Sequence, residues 1–309
     1  MNLGGVGEQT LEEGLRLLGP LARRNVNLGR LTTYRVGGSS ALFIEAQTEE
    51  DLKSVAQARN QTGLPVLVIG KGSNMLVADD GFPGIAVVLG NHFDVSTIHQ
   101  ETATVDAGSG VALPSLARRC VSLNLSGFEW AVGIPGSIGG AVRMNAGGHG
   151  GDMQASILQV NLFDLNRSTV EIKTKEEMAF GYRQSSITEE HIVLGATLQL
   201  DHDKTGQGGE ILSEIVSWRR ENQPGGQNAG SVFVNPAGET SGELLDRLGL
   251  KGFRIGSAQV SSKHANFVQA DVGGLAADVD AVIKAVAQRV HSETGIELRT
   301  EIQRVGFEV

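Results

Sequence analysis

ALFIEAQTEEDLKSVAQARNQTGLPVLVIGKGSN, residues 41–74, decides the fold class. Ala41 to Ala46 reads as a strand. Thr48 stands where it caps a helix that carries Leu52, Val55 and Ala56 on one side. The apolar run Val66-Leu67-Val68-Ile69 then reads as a buried strand that stops at Gly70, so the segment is a β-α-β unit. The glycine turn that follows, Gly70-Lys71-Gly72-Ser73-Asn74, does not align with G-x-x-x-x-G-K-[S/T]. The later string Gly133-Ile134-Pro135-Gly136-Ser137-Ile138-Gly139-Gly140 lacks the order G-x-G-x-x-G. The two common nucleotide-binding readings of a β-α-β unit are therefore not predicted.

Outward from this unit, Thr10 to Gly19 reads as a short helix. Thr10 and Glu13 have capping-box spacing, and Leu11, Leu15 and Leu18 share a face. Ile85 to Leu89, Thr102 to Ala107, Leu158 to Leu165, Thr169 to Ile172 and Ile192 to Leu200 read as strands, and Pro114 to Leu123 as a helix. The polar stretch Asp201 to Glu210 is the expected linker. Ile211 to Arg220 is then helical, Glu221 to Gly230 a loop, and Ala277 to His291 a long helix. That helix is striped by Val279, Val282, Ile283, Val286 and Val290. Ile296 to Val305 alternates as a strand, with Ile296, Leu298 and Ile302 on one side and Glu297, Arg299, Glu301 and Gln303 on the other.

Bulk properties narrow the function classes. A chain of 309 residues suggests about two domains. A net charge of −9 argues against a broad nucleic-acid or anionic-membrane surface, though not against a local anion pocket. No nucleic-acid or membrane partner is expected, and oligomeric state is left open. The one cysteine, Cys120, excludes an internal disulfide, and the histidines show no metal spacing, so no metal is expected. The start MNLGGVGEQT has no basic segment followed by an apolar run, so no secretory signal is read there, and a cytoplasmic location is the expectation. The 42 glycines cluster in short runs, which directs attention to loops that approach something closely.

Six places could carry chemistry. Gly70 to Asn74 could turn successive N–H groups into a phosphate nest, or be an ordinary strand-to-turn connection. Gly133 to Gly140, with Asn145-Ala146-Gly147 shortly after, brings backbone close to a bulky partner, either another strand or a flat cofactor. Taken with the first nest, it suggests a dinucleotide spanning both. Arg183, behind Tyr182, offers a fork that suits a carboxylate or enolate, or is a surface arginine. Ser231 follows Gly230 and precedes an apolar run, where it could deliver a proton or simply bond within a turn. Glu301 lies on the polar side of the closing segment, where a solvated carboxylate is the plain alternative. Lys263 and His264 form a basic pair that could meet an anion or face water.

In order and spacing these strings resemble the UDP-N-acetylenolpyruvoylglucosamine reductase (UDP-N-acetylmuramate dehydrogenase) family, in its shorter second type, from about residue 25 onward. Thr33 to Gly38, Ile69 to Leu76, Gly133 to Gly147, Tyr182-Arg183, Ala229 to Pro236, Lys263 to Phe267 and Leu298 to Ile302 carry the likeness. The resemblance implies an α+β fold: an FAD-binding domain of the vanillyl-alcohol-oxidase type in two lobes (1–90 and 91–203) and an α+β substrate domain (204–309). The last strand is expected to return to the first lobe. It implies FAD as cofactor, NADPH as co-substrate, and reduction of the enolpyruvyl ether of UDP-N-acetylglucosamine in peptidoglycan precursor synthesis. Arg183, Ser231 and Glu301 fall on the catalytic positions. Tyr34, Gly70 to Asn74, Gly133, Ile134, Pro135, Gly136, Ser137, Gly139, Gly140, Asn145, Ala146 and Gly147 fall on the cofactor side, with Arg35 near the flavin or the substrate. Tyr182, Asn235, Lys263 and His264 fall on the substrate side.

Two positions depart from the family pattern. Val234 stands where lysine is usual, with Lys263 or Arg254 as candidates to compensate, and Arg299-Thr300 is less acidic than the commonest form. The competing readings are another flavin oxidoreductase or oxidase of the same fold, and a flavin-binding module without activity.

Overall fold

A computed structural model describes residues 6–307, so residues 1–5 of the N-terminal string and the last two residues lie outside it. The β-α-β unit forms as Ser39–Ala46, Glu49–Thr62 and Val66–Ile69. The Thr48 side chain and Asp51 make a reciprocal capping box at the helix start. Val66–Ile69 and Ser39–Ala46 are not paired with each other. Phe82–Leu89 lies between them, parallel to both, and Arg23–Asn27 adds an antiparallel edge. Leu52, Val55 and Ala56 pack on Leu42, Ile44, Ile85 and Val87 of this sheet.

The second sheet is antiparallel and five-stranded, in the order Thr169–Thr174, Ile157–Asp164, His191–Gln199, Thr104–Gly108, Ser96–His99. The strand expected from Thr102 starts at Thr104 because Ala103, at φ 52°, turns the chain out of its hairpin partner. Phe163, Leu165 and Ile192 of this sheet join the core of the first, so the two sheets share apolar contacts. The other side of the second sheet is covered by Leu113–Ser122 and Ile138–Met144.

The third body is a three-stranded antiparallel sheet, Arg254–Ile255, Ala258–Val260 and Val268–Ala270, under the helix Ala276–Thr294. Val279, Val282, Ile283, Val286 and Val290 all face this core, where the stripe placed them. Tyr34, Val36 and Leu76 reach the same core from the first body. The Asp79 carboxylate also accepts from the N–H groups of Ala276 and Ala277, at 2.9 Å each, and so caps the last long helix from a distant part of the chain.

Several local readings are corrected. The first helix runs Glu8–Leu18 from Gly7, so Thr10 lies inside its first turn and makes no cap, while Glu13 pairs with Arg16 instead. The expected linker is ordered. Asp201–His202 pairs with Leu125–Ser126, and the Asp203 carboxylate gathers the N–H groups of Thr205, Gly206 and Gly208. The helix after it, Gly208–Asn222, places Ile215 and Leu212 in the second body's core, so residue 204 divides the sequence but not the packing. The closing segment keeps its alternating burial, but only Gln303–Val305 is strand, parallel to Met75–Val77 of the first body. Residues 296–302 pass between bodies and have no continuous neighbour, apart from one bridge between Thr300 and Phe233. Among the described residues, no helix is long and apolar enough to cross a membrane, and no group of His, Cys, Asp and Glu could hold a metal.

Candidate active site

Arg183 sits at the tip of a tight turn closed by paired hydrogen bonds between Gly181 and Gln184. Its φ of 57° is in the left-handed region, which costs a residue other than glycine and persists only where the surroundings impose it. Here they do. Buried Asn145, itself left-handed after the helix Ile138–Met144, donates its side-chain N–H to the Gly181 carbonyl at 3.0 Å. The Asn145 Oδ1 is fixed by the Gln154 N–H at 2.9 Å. Arg183 Nη2 donates to the Gly147 carbonyl at 2.9 Å, and its guanidinium lies 5.2 Å from the centre of the exposed Tyr182 ring.

Glu301 arrives from the other end of the chain. Its N–H donates to the Val232 carbonyl at 2.7 Å, its own carbonyl accepts from the Asn74 side chain at 3.1 Å, and Asn74 O accepts from the Gln303 N–H at 3.0 Å. This stretch brings the Glu301 Oε1 to 2.7 Å from Arg183 Nε, both side chains being about one-fifth exposed (17% and 21%). The Nε–H is not aligned along that line, so the contact is a close polar approach rather than a linear hydrogen bond. Burial pushes the Glu301 carboxyl above its ordinary range, and the charges of Arg183 and, less, Arg299 pull the other way without reversing it.

Ser231 is half-buried and immediately precedes the Val232 carbonyl that receives Glu301. Gly230, at φ 77°, turns the chain into this position. Behind it, buried Asn266 clamps Phe233 at both backbone groups, accepting from its N–H and donating to its carbonyl at 2.9 Å each. The Asn266 carbonyl also holds the Val232 N–H at 2.9 Å. Sequence reasoning passed over Asn266. The available signal was an amide side chain inside the apolar string Ala265-Asn266-Phe267-Val268.

The two glycine-rich loops meet. A Cβ on Gly70 would come within 2.7 Å of Ser137 Oγ, and one on Gly136 within 3.3 Å of Ser73 Oγ. Gly140 is open beyond Ser137, whereas Gly133, Gly139 and Gly147 are closed by Ile215, Ser109 and Asp152, so these three serve packing within the protein. Ile134 packs on the second body's core and Pro135 is exposed. Ala146 takes part in backbone bonds to Ala141 and Met153. The N–H groups of Lys71, Gly72, Ser73, Asn74, Ser137 and Gly140 find no acceptor among the described residues, and the buried Ser109 hydroxyl beside Gly139 has none either. Unpaired N–H groups on two facing glycine loops are the donors that a bound anion such as a pyrophosphate requires.

Other expected ligand residues are placed differently. Tyr34 has no exposed surface, belongs to the same core as Phe233 and Ile302, and its buried hydroxyl has no hydrogen-bond partner among the described residues. Lys71 lies 3.6 Å from Asp94. Asn235 is exposed and its Oδ1 accepts from the Ser241 N–H. Lys263 Nζ donates to the Arg220 carbonyl at 2.6 Å. The His264 ring packs edge-on to Phe267, and burial holds its pKa below the usual value.

Comparison with known proteins bears on both halves of this geometry. Residues 40–172 match a family model described as FAD binding domain, and residues 222–305 match one described as UDP-N-acetylenolpyruvoylglucosamine reductase, C-terminal domain. A UDP-N-acetylenolpyruvoylglucosamine reductase of Heliobacterium modesticaldum is 42% identical over 282 residues, covering 90% of this chain and 89% of the relative. One from Synechococcus sp. is 39% identical over 292 residues, covering 93% and 94%. The crystal structure of a UDP-N-acetylenolpyruvylglucosamine reductase from Thermus caldophilus superposes with a TM-score of 0.79 at 33% identity, covering 92% of this chain and 99% of that one.

Proposed function

Because the chain belongs to the UDP-N-acetylenolpyruvoylglucosamine reductase family, we propose that Arg183, Ser231 and Glu301 carry out the reduction of the enolpyruvyl ether of UDP-N-acetylglucosamine to UDP-N-acetylmuramate, with NADPH as electron donor. The protein is an FAD-dependent oxidoreductase of peptidoglycan precursor synthesis. The observation that carries the assignment of residues is the 2.7 Å approach of Arg183 to Glu301, made by segments held in place by Asn145 and Asn74 of the two glycine-rich strings.

The N–H groups of Lys71 to Asn74, Ser137 and Gly140 would hold the pyrophosphate of FAD, which once reduced by NADPH would supply hydride for the substrate's methylene carbon. Negative charge then develops on the neighbouring carbon and spreads into the substrate carboxylate. Arg183 offers its guanidinium to that charge from a low-dielectric position, where a fixed cation acts more strongly than in water. Glu301, raised in pKa by burial, keeps its proton over a wider pH range and donates it as a hydrogen bond to the same oxygens. Ser231 delivers a proton to the carbon that bears the charge. A serine hydroxyl is a weak acid, and only a base as strong as an enolate beside it makes the transfer reasonable.

The test separates the two half-reactions without oxygen. FAD-loaded protein should lose its flavin absorbance with NADPH and regain it with the enolpyruvyl UDP-sugar. Ser231→Ala should keep the first step and slow the second by about 100-fold or more. A variant that reoxidises as fast as the parent removes Ser231 from the mechanism. Parent protein reoxidised by oxygen but not by the sugar would be an oxidase instead.

A further inference from the structure

The diphosphate of the proposed substrate needs a cation of its own, because Arg183 already faces Glu301 and Gly147. From residue 222 onward the described chain has eight lysines and arginines. Arg247, Lys251, Arg254, Lys284, Arg289 and Arg304 each have a carboxylate partner. Lys263 is tied to the end of the helix Gly208–Asn222 through the Arg220 carbonyl. Arg299, the eighth, is exposed and has neither an ion pair nor a side-chain hydrogen bond among the described residues.

Its position is specific. The Val234 N–H donates to the Arg299 carbonyl at 2.9 Å, next to the bridge between Phe233 and Thr300. Val234 and Arg299 are thus cross-strand neighbours, and in an antiparallel pair such side chains leave the backbone on the same side. Two residues on, Glu301 leaves on that side too. The Arg299 charge is near enough to act on the Glu301 carboxyl. The two places where the sequence departs from the family pattern are therefore one place in the structure. A free guanidinium stands there beside the active carboxyl, opposite a valine that offers it nothing.

We propose that Arg299 is the cation that meets the diphosphate of the UDP-sugar, in place of a charge that Val234 does not carry. This rests on the reading of the substrate given above. Arg254 and Lys263, the other candidates, are engaged within the protein. Compared with Lys263, Arg299 is also the better anion ligand by type, because its planar fork can hold two phosphate oxygens at once.

The FAD-loaded full chain tests this by titration with UDP, with uridine as control, and by steady-state kinetics. Arg299→Ala should weaken UDP about ten-fold or more and leave uridine unchanged. KM for the enolpyruvyl UDP-sugar should rise by more than kcat falls. Arg299→Lys should keep much of the affinity. Adding Val234→Lys to Arg299→Ala should restore part of it, because the new ammonium enters from the neighbouring strand position. Unchanged UDP affinity in Arg299→Ala overturns the assignment and leaves the reductase reading intact. Equal losses for UDP and uridine also overturn it, because they report a disturbed site rather than a lost phosphate contact. A parent protein that neither binds UDP nor turns over the sugar ends both.

Discussion

At Glu301 two effects of opposite sign meet in one carboxyl group. Burial raises its pKa, the guanidinium of Arg183 lowers it, and burial prevails. The proposed role uses the protonated form, so the second half-reaction should slow as pH rises through the raised pKa. Glu301→Gln, neutral at every pH, should react more slowly at low pH and lose this decline. Anaerobic reoxidation followed across pH reads both, and a decline that survives in the variant would assign the titration to another group. The same shift acts on stability. A carboxyl with a folded pKa above its unfolded one contributes fully below the unfolded value, and that contribution is lost as pH rises through the folded value. Arg183 shows the complementary arrangement, a left-handed backbone imposed by Asn145. Neither Arg183, Ser231 nor Glu301 is distinguishable from an ordinary surface or loop residue by its own neighbours in sequence. Only their joint order singles them out as candidates.

Between elements, amide side chains do much of the positioning. Asn74, Asn145 and Asn266 each bond backbone of a segment far away in the chain. Asn74 and Asn145 were visible as parts of glycine-rich strings, but a string shows nothing about what its side chain reaches across the fold. Asn266→Ala leaves both backbone groups of Phe233 without a partner in a buried place. We expect it to cost about 2–4 kcal/mol in urea unfolding. It should also slow proton delivery by Ser231 while leaving flavin reduction by NADPH fast. A stability loss below about 0.5 kcal/mol would mean that water or a shift of the strand replaces the clamp. The strand Val66–Ile69 and the valine stripe of Ala276–Thr294 were legible in the sequence, but the apolar run that marked Val66–Ile69 as buried belongs to an edge strand in which only Ile69 is buried. The segment 296–302 was not, because alternating burial there comes from passing between two bodies rather than from pairing in a sheet. Asp201 to Glu210 misled for a related reason: its polar groups bond each other, which composition alone does not distinguish from solvation.

For the whole molecule, the first body, the second body and the C-terminal sheet are joined by apolar contacts and by the Asp79 cap, with the glycine loops of the first two facing one another. A ligand that bridges those loops must stabilise the folded state through mass action. At about a hundred-fold excess over its Kd, FAD should add close to 3 kcal/mol to the unfolding free energy. Thermal melts across an FAD titration read this, and a melting temperature that does not respond would mean that the loops do not grip the cofactor.

Asn74 and Glu301 bond to each other across 227 residues of sequence. During synthesis, the two glycine loops emerge long before Glu301 and the strand that follows it. The first glycine loop therefore lacks its backbone partners at Glu301 and Gln303 until almost the whole chain has been made. The loop is fastened only when Gln303–Val305 lies down beside Met75–Val77, so the two ends of the described chain close the fold together.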